Sequence, residues 1–188
     1  NQYRRSTNGG ASWTSVNLSG SQGLFVNPFD YDDAQNIMYC SNGASAMRRW
    51  DNANTTNTSI VLTLSNVTGS LTSLKYSPFT NNRVYFGTSG GKVYRLDNAN
   101  TATSPTGASV DISGASFPAG TIICVNTGTN DNNLVATYSN YGVNNVWVST
   151  NGGTSWTAVD GDLPDMPVRW AMFEPGDNSK LFLATEAG

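Results

Sequence analysis

Short apolar runs recur along the whole chain, each closed by Gly, Asn, Asp or Pro, which is the signature of many short strands. No stretch carries the period of an amphipathic helix. Four segments align. The first runs through residues 24–29, 36–43 and 47–52, the second through 74–79, 83–91 and 93–98, and the third through 122–126, 133–138 and 146–151; the fourth begins at 169–175 and continues through 181–188. Each unit reads as strand, turn, strand, Gly turn, strand, Asn or Asp turn, strand. Pro28, Pro78 and Pro175 are expected to close the first strand of their units, where a missing N–H does no harm. The period of roughly 45–54 residues suits a four-stranded unit that stacks on its neighbours.

Two octets punctuate the pattern: Ser6-Thr7-Asn8-Gly9-Gly10-Ala11-Ser12-Trp13 and Ser149-Thr150-Asn151-Gly152-Gly153-Thr154-Ser155-Trp156. Asn-Gly and Gly-Gly supply the positive φ angles of a tight two-residue hairpin turn. The Ser and Asn side chains can bond back to the turn. Trp13, Trp50 and Trp156 are expected in the core. The octets resemble the Asp-box, or BNR repeat, Ser-x-Asp-x-Gly-x-Thr-Trp. Ser6, Gly10 and Trp13 match, as do Ser149, Gly153 and Trp156; Asn8 and Asn151 replace the Asp, and Ser12 and Ser155 the Thr. The family's boxes sit between the third and fourth strands of β-propeller blades in sialidases, xyloglucan-degrading glycosidases, sortilin-like receptors and secreted bacterial proteins. The resemblance implies a structural role for the box, away from any active centre. Turns at residues 51–54 and 97–100 look like degenerate boxes.

The expected fold is therefore all-β: a β-propeller of four-stranded antiparallel blades. Residues 1–19 end one blade, 20–67, 68–117 and 118–163 each form a blade, and 164–188 begin another. Half-blades at both ends leave open sheet edges. Three arrangements satisfy them: further blades of a larger ring of six to eight blades or more, closure of one half on the other, or assembly with copies of the chain.

Composition narrows the function. Charged residues make up 12% of the chain and the net charge is −3, which disfavours a nucleic-acid surface. No apolar run approaches the roughly 18 residues of a membrane span. The chain has neither a starting Met nor a signal peptide, so residue 1 is expected not to be the native start. Neutral polar residues dominate, in the style of secreted or cell-surface β-proteins. There is no His, which removes His-based zinc sites and Ser-His-Asp triads. Cys40 and Cys124 lie in apolar strands and are expected as buried thiols.

Candidate chemistry is sparse. Asp30, Asp32 and Asp33 could offer oxygens to calcium, but their spacing matches no known calcium loop and they are read first as a solvated turn; no cofactor is otherwise implied. Glycosidase chemistry needs two carboxylates across a sugar bond. Glu174 and Glu186 are the only glutamates, and Asp160, Asp162 and Asp165 lie in an inter-blade connection; Asp165 is the acid singled out for test. Arg4–Arg5 and Arg48–Arg49 are each expected to point one side chain inward and one outward, and neither pair matches the sialidase arginine motif. Tyr138, Tyr141 and Trp170 are candidate stacking platforms for a sugar. The function expected is a binding module for a polysaccharide or protein ligand, with no catalytic group evident. The alternatives are a glycoside hydrolase, xyloglucanase-like rather than sialidase, with acids partly outside this chain, and a scaffold domain of a large exported protein.

Overall fold

The computed structural model describes residues 3–18, 20 and 23–188. Among these, every regular element is a strand. A two-stranded pair, β1 (Tyr3–Arg5) and β2 (Thr14–Val16), comes first. Three four-stranded antiparallel sheets follow. The first holds β3 (Phe29–Asp32), β4 (Ile37–Ser41), β5 (Ala46–Asp51) and β6 (Ile60–Thr63); the second holds β7 (Leu71–Tyr76), β8 (Val84–Thr88), β9 (Val93–Leu96) and β10 (Val110–Asp111). The third holds β11 (Ile122–Thr127), β12 (Leu134–Tyr138), β13 (Val146–Ser149) and β14 (Thr157–Ala158), and a final pair joins β15 (Val168–Glu174) to β16 (Asp177–Thr185). In each complete sheet the strands lie in chain order.

The sheets stack face to face in sequence, and this explains their composition. Every residue of β4, β8 and β12 is buried. A second strand covered on both faces is apolar at most positions, with only Ser41, Thr88 and Thr137 polar, so these strands read as near-continuous runs rather than alternations. The interfaces are apolar. Val16, Leu18, Met38 and Trp50 join the first pair to the first sheet, and Leu62, Leu71, Phe86 and Leu96 join the first sheet to the second. Tyr85, Val93, Val125 and Trp147 join the second to the third, and Val135, Val146, Ala171 and Phe173 carry the last pair. Register shifts recur at one place in the first strands, at Leu71/Ser73, Ile122/Cys124 and Val168/Trp170, where a bulge adds twist. Gly87 permits the tightest approach: a Cβ there would lie 2.2 Å from Ile122 Cγ2 of the next sheet.

Polar contacts reinforce the stacking. Arg5 donates to the carbonyls of Ala53 (3.1 Å) and Thr56 (2.8 Å), and Arg49 repeats the contact one sheet later, to Ala99 (3.0 Å) and Ala102 (3.1 Å). Arg83 pairs with Asp131 at 3.2 Å, and Ser77 Oγ donates to the same carboxylate at 2.6 Å. The Arg5 and Arg49 guanidinium groups thus satisfy turn carbonyls, and that of Arg83 satisfies a carboxylate.

Several expectations need correction. Arg48 and Arg49 take opposite faces of β5, but neither is exposed: Arg49 reaches Ala99 and Ala102 of the next sheet and Arg48 reaches Ser59 and Asn42. Pro28 precedes the first strand of its sheet instead of closing it. Its carbonyl accepts from Ser41 N (3.0 Å), pairing starts at Phe29, and Phe25 and Val26 stay exposed. The octets form wider loops than a two-residue turn. Ser6 Oγ accepts from Gly10 N (2.8 Å), Asn8 Oδ1 accepts from Ser12 N (3.0 Å), and Asn8 Nδ2 donates to Ser12 Oγ (2.9 Å). Ser149, Asn151, Gly153 and Ser155 repeat these bonds at 2.8–2.9 Å. Only the glycines, Gly9, Gly10, Gly152 and Gly153, take positive φ. Trp13 is exposed, whereas Trp50 is buried and Trp156 half-buried, donating from Nε1 to Ile112 O (2.7 Å). In the turns at 51–54 and 97–100, Asn52 and Asn98 supply the left-handed residue. Cys40 and Cys124 are buried free thiols in different sheets.

Candidate functional site

The loop after β12, the connection from β14 to β15, and the adjoining ends of β15 and β16 meet at one end of the stacked sheets. They form the best-built polar surface. Asn145 is buried at its root, and its amide donates to the carbonyls of Tyr138 (2.9 Å) and Asn140 (2.7 Å). Asp160 Oδ1 accepts from the backbone N–H groups of Asn145 and Val146. Asp165 Oδ1 accepts from Gly142 N at 2.6 Å, tying the connection to the β12–β13 loop. Gly142 has φ +74°, a backbone that L side chains rarely adopt. Between these loops lies a cleft of about 500 Å³ lined by Val143, Asn144, Asp160, Gly161, Pro164 and Asp165.

Beside the cleft, Tyr141 donates from its hydroxyl to Glu186 Oε2 (2.5 Å), and Arg169 grips Glu186 Oε1. The Tyr141 hydrogen bond and the Arg169 guanidinium hold the Glu186 carboxyl below its ordinary range, while the same bond raises the Tyr141 phenol. A general acid requires the opposite shift. Glu186 is thus an ionised anchor that fixes the Tyr141 ring. Trp170 follows Arg169 on β15, and both rings are exposed.

The other candidates are dispersed. Tyr138 is fully buried and donates to Gly91 O (3.0 Å); it packs one sheet on the next and offers no face to a ligand. Asp30 accepts from Tyr76 N (2.8 Å) and pairs with Lys75 (3.2 Å) at the innermost strands, beside a recess of about 170 Å³ that Thr72, Asn126 and Trp170 also line. Asp32 is buried and caps its own turn, accepting from Gln35 N (3.0 Å), while Asp33 is exposed. Asp30 is spent on the neighbouring strand, Asp32 on its own turn, and Asp33 lies exposed beyond the strand end, so the three carboxylates do not converge. Among the described residues, no three His, Cys, Asp or Glu side chains come together as metal ligands. Glu174 lies at the β15–β16 turn, paired with Lys180 (2.8 Å), at a different place from Glu186. Sequence reasoning missed the Tyr141–Glu186–Arg169 cluster. The signal was available in the repeat, since the register of β12 and β16 places Glu186 level with Ser139, two residues before Tyr141.

No family model and no curated protein sequence matches the chain. Its shape does match solved structures. YCF48 from Cyanidioschyzon merolae superposes with a TM-score of 0.69 at 15% identity, over 95% of this chain and 56% of that one. The GH74 xyloglucanase from Xanthomonas campestris gives 0.62 at 17% identity, over 84% of this chain and 26% of that one. The computationally designed Ika4 protein gives 0.62 at 14% identity, over 92% of each chain. The chain is a partial β-propeller. Its four-stranded sheets are blades, and its end pairs are half-blades: β1–β2 supply strands three and four, and β15–β16 supply strands one and two. The chain spans about a quarter of the xyloglucanase and just over half of YCF48. At these identities the likeness is one of fold, and fold does not fix function. None of the elements is a helix long and apolar enough to cross a membrane.

Proposed function

We propose that this partial propeller is a secreted or cell-surface binding module, and that its ligand-binding face is the one bearing Tyr141, Trp170 and Asp165. The observation that carries the reading is the exposed Tyr141 ring, held by an ion-paired carboxylate beside a polar cleft, together with the exposed Trp170 ring at the hub recess that Asp30 and Asn126 also line. Rings fixed at a surface stack on the apolar faces of sugars, and neighbouring Asn and Asp side chains bond to hydroxyls. Polysaccharide is therefore the favoured ligand class, with a protein ligand as the alternative. In this reading the two octets are Asp-box turns in which Asn serves for Asp, and they stay structural. The rival, a glycoside hydrolase, needs a carboxyl held protonated opposite a second carboxylate; Glu186 is shifted the other way.

Titration calorimetry with xyloglucan oligosaccharides and other β-linked glucans tests the proposal. Binding that weakens about tenfold or more in both Tyr141→Ala and Trp170→Ala, with no release of reducing ends, is the expected outcome. Unchanged binding in both variants refutes this face. Hydrolysis lost in Asp165→Asn establishes the enzyme instead.

A further inference from the structure

The cleft between Asp160 and Asp165 has a counterpart one blade earlier. Asp160 and Ser113 hold the same position after the outer strand: Val146 N donates to Asp160 Oδ1 at 3.2 Å, and Val93 N donates to Ser113 Oγ at 3.0 Å. The residues before them pair alike, Val159 N with Val146 O (2.9 Å) and Ile112 N with Val93 O (3.0 Å). A tight turn follows in each, closed by Leu163 N on Asp160 O and by Phe117 N on Gly114 O. Pro164 and Pro118 then precede Val168 and Ile122, the first paired residues of the next sheets, by the same interval. In the earlier blade this frame encloses a second cleft of about 530 Å³, lined by Gly90, Lys92, Asp111, Ser113, Phe117 and Ala119.

The wall between the two clefts is tightly built. Tyr138 donates to Gly91 O (3.0 Å), and a Cβ on Gly91 would lie 3.0 Å from Pro118 O and 3.1 Å from Gly120 O, so the β8–β9 turn and the connection to β11 are in backbone contact. That connection is bound in turn to the β12–β13 loop. Thr121 N donates to Asn140 Oδ1 (2.7 Å), Ser139 N donates to Thr121 O (3.1 Å), and a Cβ on Gly120 would lie 2.6 Å from Asn140 Oδ1. Tyr141 stands between Asn140, which is bonded to this wall, and Gly142, which lines the first cleft. Its ring, 63% exposed and anchored through Glu186, therefore crests the ridge that separates the clefts.

The second cleft combines an apolar side with a polar rim. Phe117 is half-buried, its ring edge-on to Tyr138, Trp147 and Trp156 with centroids 5.2–5.9 Å apart. On the rim Lys92 and Asp111 are exposed and pair at 3.4 Å, while Asp111 Oδ1 also accepts from Ser113 N (2.9 Å). An ammonium beside a carboxylate offers donors and acceptors to hydroxyl groups without a net charge. The charged groups lining the first cleft are the carboxylates Asp160 and Asp165. An acidic sugar would meet these, and an amino sugar would meet Lys92, so a neutral chain suits both clefts. Given a polysaccharide ligand, as proposed for this face, we infer that the ligand is a linear, extended, uncharged glycan that spans two blades. It runs from Lys92 and Asp111 over the Tyr141 ring into the cleft at Asp160 and Asp165. Stacked sheets lie about 10 Å apart, so only a chain of several sugars reaches both clefts. Once one cleft is filled, filling the other is intramolecular, and affinity rises with chain length.

The test is titration calorimetry with cellobiose and cellohexaose, two neutral extended glucose oligomers of different length. Cellohexaose should bind about tenfold or more tightly than cellobiose. Two variants probe the second cleft: Lys92→Ala removes its cation, and Ala119→Trp, at an exposed position, fills it with a ring. Each should bring the ratio of the two affinities close to one, with circular dichroism checking that both variants fold. Equal affinities for the two oligosaccharides in the unaltered protein overturn the inference, as does a ratio that survives both changes. In either case, weaker binding in Tyr141→Ala would leave the glycan-binding face standing with the first cleft alone. Binding of neither oligosaccharide overturns the glycan reading, and the two-blade path with it.

Discussion

Gly10 and Gly153 offer a direct measure of what blade stacking contributes. Both sit at the same place in the same turn, both with φ +89°. Alanine at either pays the left-handed penalty of roughly 1–2 kcal/mol. Their surroundings differ. A Cβ on Gly10 meets nothing closer than Trp13 of its own loop, at 3.9 Å. A Cβ on Gly153 meets Ile112 of the preceding blade at 2.8 Å and 2.9 Å, both inside contact distance. Ile112 is held on its other side by strand pairing, with its N–H on Val93 O (3.0 Å), so it has little room to withdraw. Overpacking of this kind costs roughly 1–3 kcal/mol. Gly153→Ala should therefore destabilise by about 2–5 kcal/mol and Gly10→Ala by about 1–2 kcal/mol. The assay is urea denaturation followed by tryptophan fluorescence. With a slope of about 2 kcal/mol/M, the midpoints should differ by roughly 0.5–1.5 M. Equal midpoints would refute the claim that the turn is wedged between blades.

Two further predictions rest on the same structure. Asn151→Ala removes an acceptor for Ser155 N and Ser149 Oγ and a donor to Ser155 Oγ, so unfolding should be easier by about 1–2 kcal/mol; Asn151→Asp keeps the double acceptor, and its midpoint should move by less than about 0.5 kcal/mol at neutral pH. Burial, followed by the Asp131 charge, pushes the Tyr85 phenol up to about 12, and burial pushes Tyr138 higher still. Because the folded value is raised, the stabilisation is complete below pH 10, where an unfolded tyrosine titrates, and is lost as the pH climbs toward 12. Absorbance at 295 nm should show these tyrosinates forming together with loss of the fold, and independent ionisation near pH 10 would contradict the burial.

Much of the architecture was legible because each blade repeats its chemistry. The largely apolar second strands, the Gly-rich turns and the Asn that replaces Gly at Asn52 and Asn98 are local signals, and the folded chain uses them locally. Pro28 misled for a physical reason. Asn27-Pro28-Phe29 resembles Ser77-Pro78-Phe79, but pairing of Phe29 with Cys40 and Tyr31 with Met38 moves the strand past the proline. Trp13 misled for another. Its octet matches that of Trp156, and a turn's letters do not encode whether a blade lies beneath it. The candidate site was the least legible part. Glu186 was visible only as one of two glutamates, while its work depends on Tyr141 and Arg169, which fold onto it from 45 and 17 residues away.

The same distinction between local and relational information bears on where function resides. An interior blade spends its arginines and aromatics on its neighbours: Arg49 holds carbonyls of the next turn, Arg83 holds Asp131, and Tyr138 holds Gly91. Such residues are already engaged by the packing of blade on blade, and a ring or guanidinium found there is no evidence of a site. Tyr141 differs because its hydroxyl is anchored while its ring stays uncovered, and Trp170 differs because it stands at the hub position that Ser73 and Cys124 fill with small side chains. Ser73 and Cys124 turn that position toward the first strand of the next blade, with Ser73 Oγ accepting from Val125 N and Cys124 Sγ reaching Ala171 O, so the Trp170 ring stands on the side that the last half-blade leaves uncovered. In the proposed reading, an anchored ring with an uncovered face, rather than abundance of aromatics, marks the recognition surface on the scaffold.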